Sequence, residues 1–198
     1  MVVTILYLDH MDASYWSKRY RNKETRWDLG EVSAPLVEIF KEIEKDSAIL
    51  IPGCGNAYEA EFLFNSGYKN VCVIDVAKEP LEAFKKRNPS FPNHQIILGD
   101  FFDHSGAYDF IIEQTFFCAI DPSLRSNYVQ KMYQLLKKDG KLMGVLFDRE
   151  FEQGPPFGGG KEEYKNLFSA VFSKVEIQDS LQSIQPRAGA EVTIRCAK

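Results

Sequence analysis

Residues 47–75 read SAILIPGCGNAYEAEFLFNSGYKNVCVID, and the fold turns on how they are divided. Ser47–Ile51 is a short β-rich run, Ile51-Pro52-Gly53-Cys54-Gly55-Asn56 is a turn, and Tyr58 to Ser66 has helical spacing that Gly67 stops. Val71–Asp75 (VCVID) is a second apolar run. Strand, turn, helix and strand within about 30 residues make a βαβ unit, whose crossover runs the two strands parallel. A glycine turn between such a strand and its helix lies at the carboxyl edge of the sheet, where doubly wound folds take up adenosine-containing ligands. This turn supplies Gly53 and Gly55 but has Ala57 and Tyr58 where a full dinucleotide fingerprint needs a third glycine beside a pyrophosphate. Asp75 ends the second strand about 20 positions beyond the turn, within reach of ribose hydroxyls.

Outward from this unit the alternation continues. Upstream, Ser14 to Asn22 is aromatic and basic with helical spacing, and Ser33 to Lys45 reads as a helix capped by Ser33 with Pro35 in its first turn. Downstream come a helix from Glu79 to Arg87, a third strand at Gln95–Leu98 and a fourth at Tyr108–Glu113. Pro122 to Lys137 reads as a helix closed by Asp139-Gly140, before a fifth strand at Lys141–Phe147. A loop with Gly154-Pro155-Pro156 and Gly158-Gly159-Gly160 precedes a helix from Lys161 to about Val171. Lys174–Gln178 and Glu191–Cys196 face each other across Pro186-Arg187-Ala188-Gly189 with no helix between them, which predicts an antiparallel hairpin. The expectation is an α/β fold: a seven-stranded, mostly parallel sheet ending in an antiparallel hairpin, with helices on both faces. Residues 1–198 read as one domain, an N-terminal segment over 1–45 acting as lid and helices before a Rossmann-like core over 46–198.

Composition narrows the function. A chain of 198 residues that is 44% hydrophobic suits one compact core, and a net charge of -4 lacks the basic field that nucleic-acid phosphates require. The opening MVVTILYLDHMD has no basic n-region or small-residue cleavage site, and no apolar stretch approaches the roughly 20 residues of a membrane span. Cys54, Cys72, Cys118 and Cys196 are scattered without CxxC spacing, against both a zinc site and a disulfide framework. A cytoplasmic protein, expected to be monomeric, with a small-molecule partner rather than nucleic acid or membrane is the reading.

The carboxyl ends of four strands converge on one crevice. After the third strand, Gly99-Asp100-Phe101-Phe102 places an acid to accept from an adenine amino group and an aromatic to pack on its ring. After the fourth, Glu113-Gln114-Thr115-Phe116-Phe117-Cys118-Ala119 turns polar side chains toward the same crevice. The three histidines read as ordinary: His10 in the N-terminal segment, His94 at a strand start and His104 in a loop. Cys54 reads as a small packing residue, and Lys85-Lys86-Arg87 and Lys137-Lys138 as solvated helix ends.

With these residues in place the chain resembles the thiopurine methyltransferase superfamily, and within it the halide and thiol methyltransferases of plants and their bacterial relatives. The likeness runs nearly end to end: Tyr15-Trp16, Thr25-Arg26-Trp27-Asp28-Leu29-Gly30, Ile51-Pro52-Gly53-Cys54-Gly55, Asp75, Gly99-Asp100-Phe101-Phe102, Phe116-Phe117-Cys118-Ala119-Ile120 with Pro122 and Arg125, Leu135-Leu136 with Gly140, and Gly154-Pro155-Pro156-Phe157. The resemblance implies a class I fold and S-adenosyl-L-methionine as cofactor. It places Trp16, Tyr20 and Trp27 near that cofactor in a covering segment, Gly53 and Gly55 at the amino-acid moiety, Asp75 at the ribose, Asp100 and Phe101 at the adenine, and Gln114 beside the methionine portion. Gln114 stands where plant relatives usually carry Tyr, and Tyr20 where they often carry Trp.

Methyl transfer from a sulfonium needs in-line approach and neutralises positive charge in the transition state, so positioning supplies most of what the protein offers. A soft nucleophile such as a thiol, bisulfide, thiocyanate or halide suits an aromatic pocket, whose ring faces also attract the sulfonium by about 0.5–2 kcal/mol. No Ser-His-Asp set or metal cluster is visible, so no catalytic side chain and no metal are assigned. Phe117, Phe157 and Arg149 are the candidate acceptor contacts, with Arg125 as a second cation for an anionic acceptor and Pro155-Pro156 shaping the loop above it. A thiopurine, a metalloid or a carboxylate-bearing metabolite as acceptor, or a non-catalytic sensor that binds the same cofactor, stay open alternatives; a nicotinamide dehydrogenase is disfavoured by the missing glycine and the terminal hairpin.

Overall fold

The structure, a computed structural model, describes residues 11–198; His10 and the opening apolar run lie outside them. Seven strands form one sheet: β1 (Ile49–Pro52), β2 (Val71–Asp75), β3 (Ile96–Leu98), β4 (Tyr108–Gln114), β5 (Leu136–Phe147), β6 (Lys174–Asp179) and β7 (Glu191–Ala197), in the order β3-β2-β1-β4-β5-β7-β6. The first five run parallel. The hairpin does not simply extend the edge. β7 inserts between β5 and β6, antiparallel to both, so β6 at the edge points the same way as the five parallel strands.

Alternation along the strands divides the core between the two faces, as period-2 geometry requires. Ile49, Ile51, Ile112 and Val145 point to the face covered by α2 (Ala34–Phe40), α3 (Tyr58–Asn65) and α4 (Lys78–Arg87). Leu50, Ile111, Leu142 and Leu146 point to the face covered by α5 (Arg125–Leu135) and α6 (Lys161–Ser169). Strands buried on both faces explain why SAILI and VCVID carry almost no polar residues. Among the described residues no helix is long and apolar enough to cross a membrane.

Two helices end earlier than their spacing predicts, each for a tertiary reason. The helix expected to reach Lys45 stops at Phe40, where Lys41, Glu42 and Ile43 take up tighter bonds to Glu38, Ile39 and Phe40. The Tyr68 hydroxyl, from beyond α3, donates to the carbonyls of Phe40 and Ile43 at 2.9 and 3.0 Å and so satisfies groups the helix leaves open. The helix expected to reach Lys137 stops at Leu135 because Leu136 pairs with Tyr108 and begins β5. Lys198, from the far end of the chain, donates to the carbonyls of Tyr133 and Leu136, both at 2.7 Å, and caps α5.

β5 is packed hardest against β4 at Gly144, where an added Cβ would lie 2.2 Å from the Glu113 carbonyl oxygen and 2.5 Å from its Cβ. Gly144→Ala is expected to destabilise the protein by about 1–3 kcal/mol through overpacking against rigid backbone, read as a lower urea midpoint at unchanged slope.

Candidate active site

The sheet order reverses between β1 and β4, and the carboxyl ends of the strands on either side open into a cavity of about 1450 Å³. Its β1 wall is the glycine turn. Gly53 and Gly55 have φ of +56° and +51°, a left-handed backbone that disfavours side chains. A Cβ on Gly53 would fall 2.3 Å from the Phe116 ring, and one on Gly55 would fall 2.7 Å from the Tyr20 hydroxyl. The turn is held by Asp75: one carboxylate oxygen accepts the Gly55 amide and the other the Ala77 amide, both at 2.8 Å. Burial raises the Asp75 carboxyl above its usual range, and these amide bonds pull it back toward ionisation.

At the end of β3, Asp100 is exposed and accepts the Phe102 amide at 2.8 Å. Phe101 is 3% exposed and packs edge-on against Phe102 and Phe116, so it borders the cavity from the core side. Leu98, which the sequence reading passed over, lies in the same wall and is 56% exposed. An open apolar side chain beside an acid is what an adenine face requires, and its exposure within a strand was not visible in the sequence.

The turn after β4 divides into two faces. Glu113, expected to face the crevice, is fully buried: it accepts the amides of Phe116 and Phe117 at 2.8 and 2.9 Å and a short bond from the Tyr128 hydroxyl. Desolvation pushes its carboxyl up to about 7. Gln114, Thr115 and Phe116 face the cavity, and the side-chain oxygen of Gln114 is buried without a hydrogen-bond partner. Phe117, expected at the acceptor, points the other way. It is 1% exposed, edge-on to Tyr128 and Tyr164, with the Arg125 guanidinium 4.7 Å above its ring.

Arg125 is likewise occupied inside the protein, bonded to Glu163 and to the Gly158 carbonyl at 2.6 Å each. Phe157 is outside the wall; its amide donates to the Cys118 carbonyl at 2.7 Å and thereby seats the loop whose Pro155 and Pro156 do reach the cavity. Arg149 lines the cavity with its guanidinium over Phe151. A second arginine joins the wall from a hairpin connection that reads in the sequence as a plain turn. Arg187 is 8% exposed, lines the wall, donates to the Trp27 carbonyl at 2.8 Å and packs over Phe147.

The N-terminal segment closes the top. α1 (Ala13–Arg21), capped by Asp12, is tied to α4 by Arg21 and Glu79 at 2.5 Å, and Asp28 accepts from the Asn56 side chain in the glycine turn. Trp16 and Tyr20 both meet Trp27 edge-on, with centroids 5.5 and 5.8 Å apart, so the three form one aromatic group over the turn. Burial, then the nearby Asp75 charge, pushes the Tyr20 phenol well up and keeps it a hydrogen-bond donor. His94 is exposed, His104 bonds Tyr108, and neither lines the cavity. Burial also raises the Cys54 thiol, which suits a packing role. Among the described residues no three His, Cys, Asp or Glu side chains are grouped to hold a metal ion.

The chain is similar to known methyltransferases in sequence and in fold. The family model for thiopurine S-methyltransferase (TPMT) matches residues 11–196. A probable thiol methyltransferase 2 of Arabidopsis thaliana is 33% identical over 186 residues, spanning 89% of this chain and 81% of its own length. Thiocyanate methyltransferase 1 of Brassica oleracea is 28% identical over the same shares. Among solved structures, the 1,6-didemethyltoxoflavin-N1-methyltransferase of Burkholderia thailandensis, with bound 1,6-didemethyltoxoflavin and S-adenosylhomocysteine, superposes with a TM-score of 0.71 at 15% identity, covering 93% of this chain and 85% of that one.

Glu113 links the site to pH. Between its ordinary value of 4.5 and about 7 the folded protein holds a proton that the unfolded chain has released, so its contribution to stability is complete below 4.5 and is lost as pH rises through 7. Melting temperatures of wild type and Glu113→Gln are expected to converge in their pH dependence outside this window and to diverge within it, the wild type falling more steeply. Glu113→Ala, which strands three buried donors, is expected to lose about 3 kcal/mol or more in urea unfolding.

Proposed function

Because the chain belongs to the thiopurine S-methyltransferase family, and is thus an S-adenosylmethionine-dependent methyltransferase, we propose that its acceptor is a small soft nucleophile: a thiol, bisulfide, thiocyanate or halide. The observation that carries this reading is the character of the cavity beyond the glycine turn. Phe116, Phe147, Phe151, Pro155 and Pro156 make it apolar, and Arg149 brings the positive charge an anion seeks, while Arg187 beside it is paired with the buried Glu191. The relatives named for thiol and thiocyanate methylation support the same acceptor class.

The residues fit the cofactor. Each oxygen of Asp75 keeps a lone pair beyond its amide bond, and the Gln114 oxygen, which lines the cavity, lacks a partner. When bound, S-adenosylmethionine supplies an electrophilic methyl group on a sulfonium centre. Asp75 would hold the ribose hydroxyls, Asp100 with Leu98 and Phe101 the adenine, and Gly53, Gly55 and Gln114 the methionine portion. Trp16, Tyr20 and Trp27 would present ring faces to the sulfonium and exclude water, which strips the attacking anion of its hydration. Arg149 would steer and orient that anion for in-line approach.

Transfer of radiolabelled methyl from S-adenosylmethionine to bisulfide, thiocyanate, iodide, thiophenol and a thiopurine tests the reading. Turnover is expected to concentrate on the inorganic anions or simple thiols; turnover confined to the thiopurine would replace this acceptor class. Asp75→Ala is expected to weaken cofactor binding by about 10- to 100-fold, measured by calorimetry, as buried hydrogen bonds to a charged group are lost.

A further inference from the structure

Among the described residues, four that are not glycine have a left-handed backbone: Lys23, Ala57, Thr115 and Asp139. Only Thr115, at φ +57°, branches at Cβ, and a branched side chain is strained there. The backbone of this turn has its own reason for bending. Glu113 gathers the amides of Phe116 and Phe117 at 2.8 and 2.9 Å, and the Cys118 thiol donates to the Thr115 carbonyl at 3.3 Å. Glycine would meet those demands without strain, and none of these bonds uses the Thr115 hydroxyl. Thr115 lines the cavity, and two connections place it at the acceptor end. It follows Gln114, which pairs with Val145, so it leaves the sheet beside the last residues of β5, where Phe147 lines the same wall. Its bonded partner Cys118 also accepts the Phe157 amide at 2.7 Å, the contact that seats the loop carrying Pro155 and Pro156. In the sheet, β4 lies between β1, whose turn is assigned to the cofactor, and β5, whose following loop carries Arg149 and Phe151. The chain leaving β4 therefore stands where cofactor and acceptor meet.

We propose that the Thr115 hydroxyl donates to the hard end of a two-ended sulfur anion, the nitrogen of thiocyanate, and so turns its sulfur toward the methyl group, an assignment that rests on the soft-nucleophile reading above. The hydroxyl keeps its proton throughout. The side chains of Phe116, Phe147, Phe151, Pro155 and Pro156 around it have no donor to offer, so one hydroxyl in an apolar wall is enough to fix direction. Arg149 attracts the charge of the anion, and Thr115 sets which end attacks. Iodide is a single atom with nothing to orient, and a hydrogen bond to it would occupy the atom that attacks. The favoured acceptors are therefore sulfur anions with a hydrogen-bond acceptor at the far end, and the strained threonine is the residue that selects them.

The test measures kcat/KM for thiocyanate and iodide in wild type, Thr115→Val, Thr115→Ser and Thr115→Gly, with S-adenosylhomocysteine affinity by calorimetry and melting temperature alongside. Thr115→Val keeps the branched shape and loses the hydroxyl. Its thiocyanate turnover is expected to fall about 10- to 100-fold, the range of a lost hydrogen bond to an anion, while iodide turnover changes less than about threefold. Thr115→Ser, which restores the hydroxyl, is expected to recover most of that loss. Thr115→Gly is expected to melt at or above the wild-type temperature yet lose thiocyanate turnover as Thr115→Val does, a split that a purely structural threonine would not produce. Full thiocyanate turnover in Thr115→Val overturns the assignment, as do equal losses on both anions or a weakened affinity for S-adenosylhomocysteine, which would place Thr115 at the cofactor. A wild-type chain that methylates simple thiols but not thiocyanate overturns this assignment alone; one that methylates neither thiols nor either anion overturns the soft-nucleophile reading with it.

Discussion

The carboxylate of Asp75 holds the amides of Gly55 and Ala77 at the same time, and the site depends on that double grip. One bond fixes the turn leaving β1, the other the turn leaving β2, so the two loops cannot move apart without exposing a buried acid. Gly53 and Gly55 are then fixed in left-handed backbone, their missing Cβ atoms leaving room for Phe116 from below and Tyr20 from above. The cavity is the space between these surfaces.

A second buried acid performs the equivalent task one strand over. Glu113 gathers two successive amides and the Tyr128 hydroxyl, which forces the chain after β4 to turn so that Phe116 faces the cavity and Phe117 the core. Three hydrogen bonds offset part of the cost of desolvating this carboxyl, and the remainder shows as its raised pKa. Arg125 then stacks on the inward Phe117 and reaches the Gly158 carbonyl, carrying the same constraint into the loop that bears Pro155 and Pro156.

Closure from above unites the two ends of the chain. Arg187, in the loop between β6 and β7, bonds the carbonyl of Trp27, so the N-terminal segment is latched to the C-terminal hairpin across the mouth of the cavity. β6 runs in the same direction as the five parallel strands, so the loop from it into β7 leaves at their carboxyl edge.

The sequence by itself determined the sheet and the wall of the cavity that β1 and β2 supply. Apolar runs buried on both faces and a glycine turn about 20 residues before an acid are local patterns, because strand period and backbone sterics are local properties. It also marked the aromatic N-terminal segment, since Trp16, Tyr20 and Trp27 stand out by type alone. What only the tertiary structure decided was the direction in which side chains of one motif point. Phe116 and Phe117 are indistinguishable as neighbours in a line; the bond between Glu113 on β4 and Tyr128 on α5 assigns one to the cavity and one to the core. The same holds for the early end of α2, set by Tyr68, and for Arg187, whose place beside the cavity follows from strand order rather than from its neighbours in sequence. Burial and hydrogen-bond satisfaction are properties of the assembled chain, and they choose among conformations that local sequence leaves equal in energy.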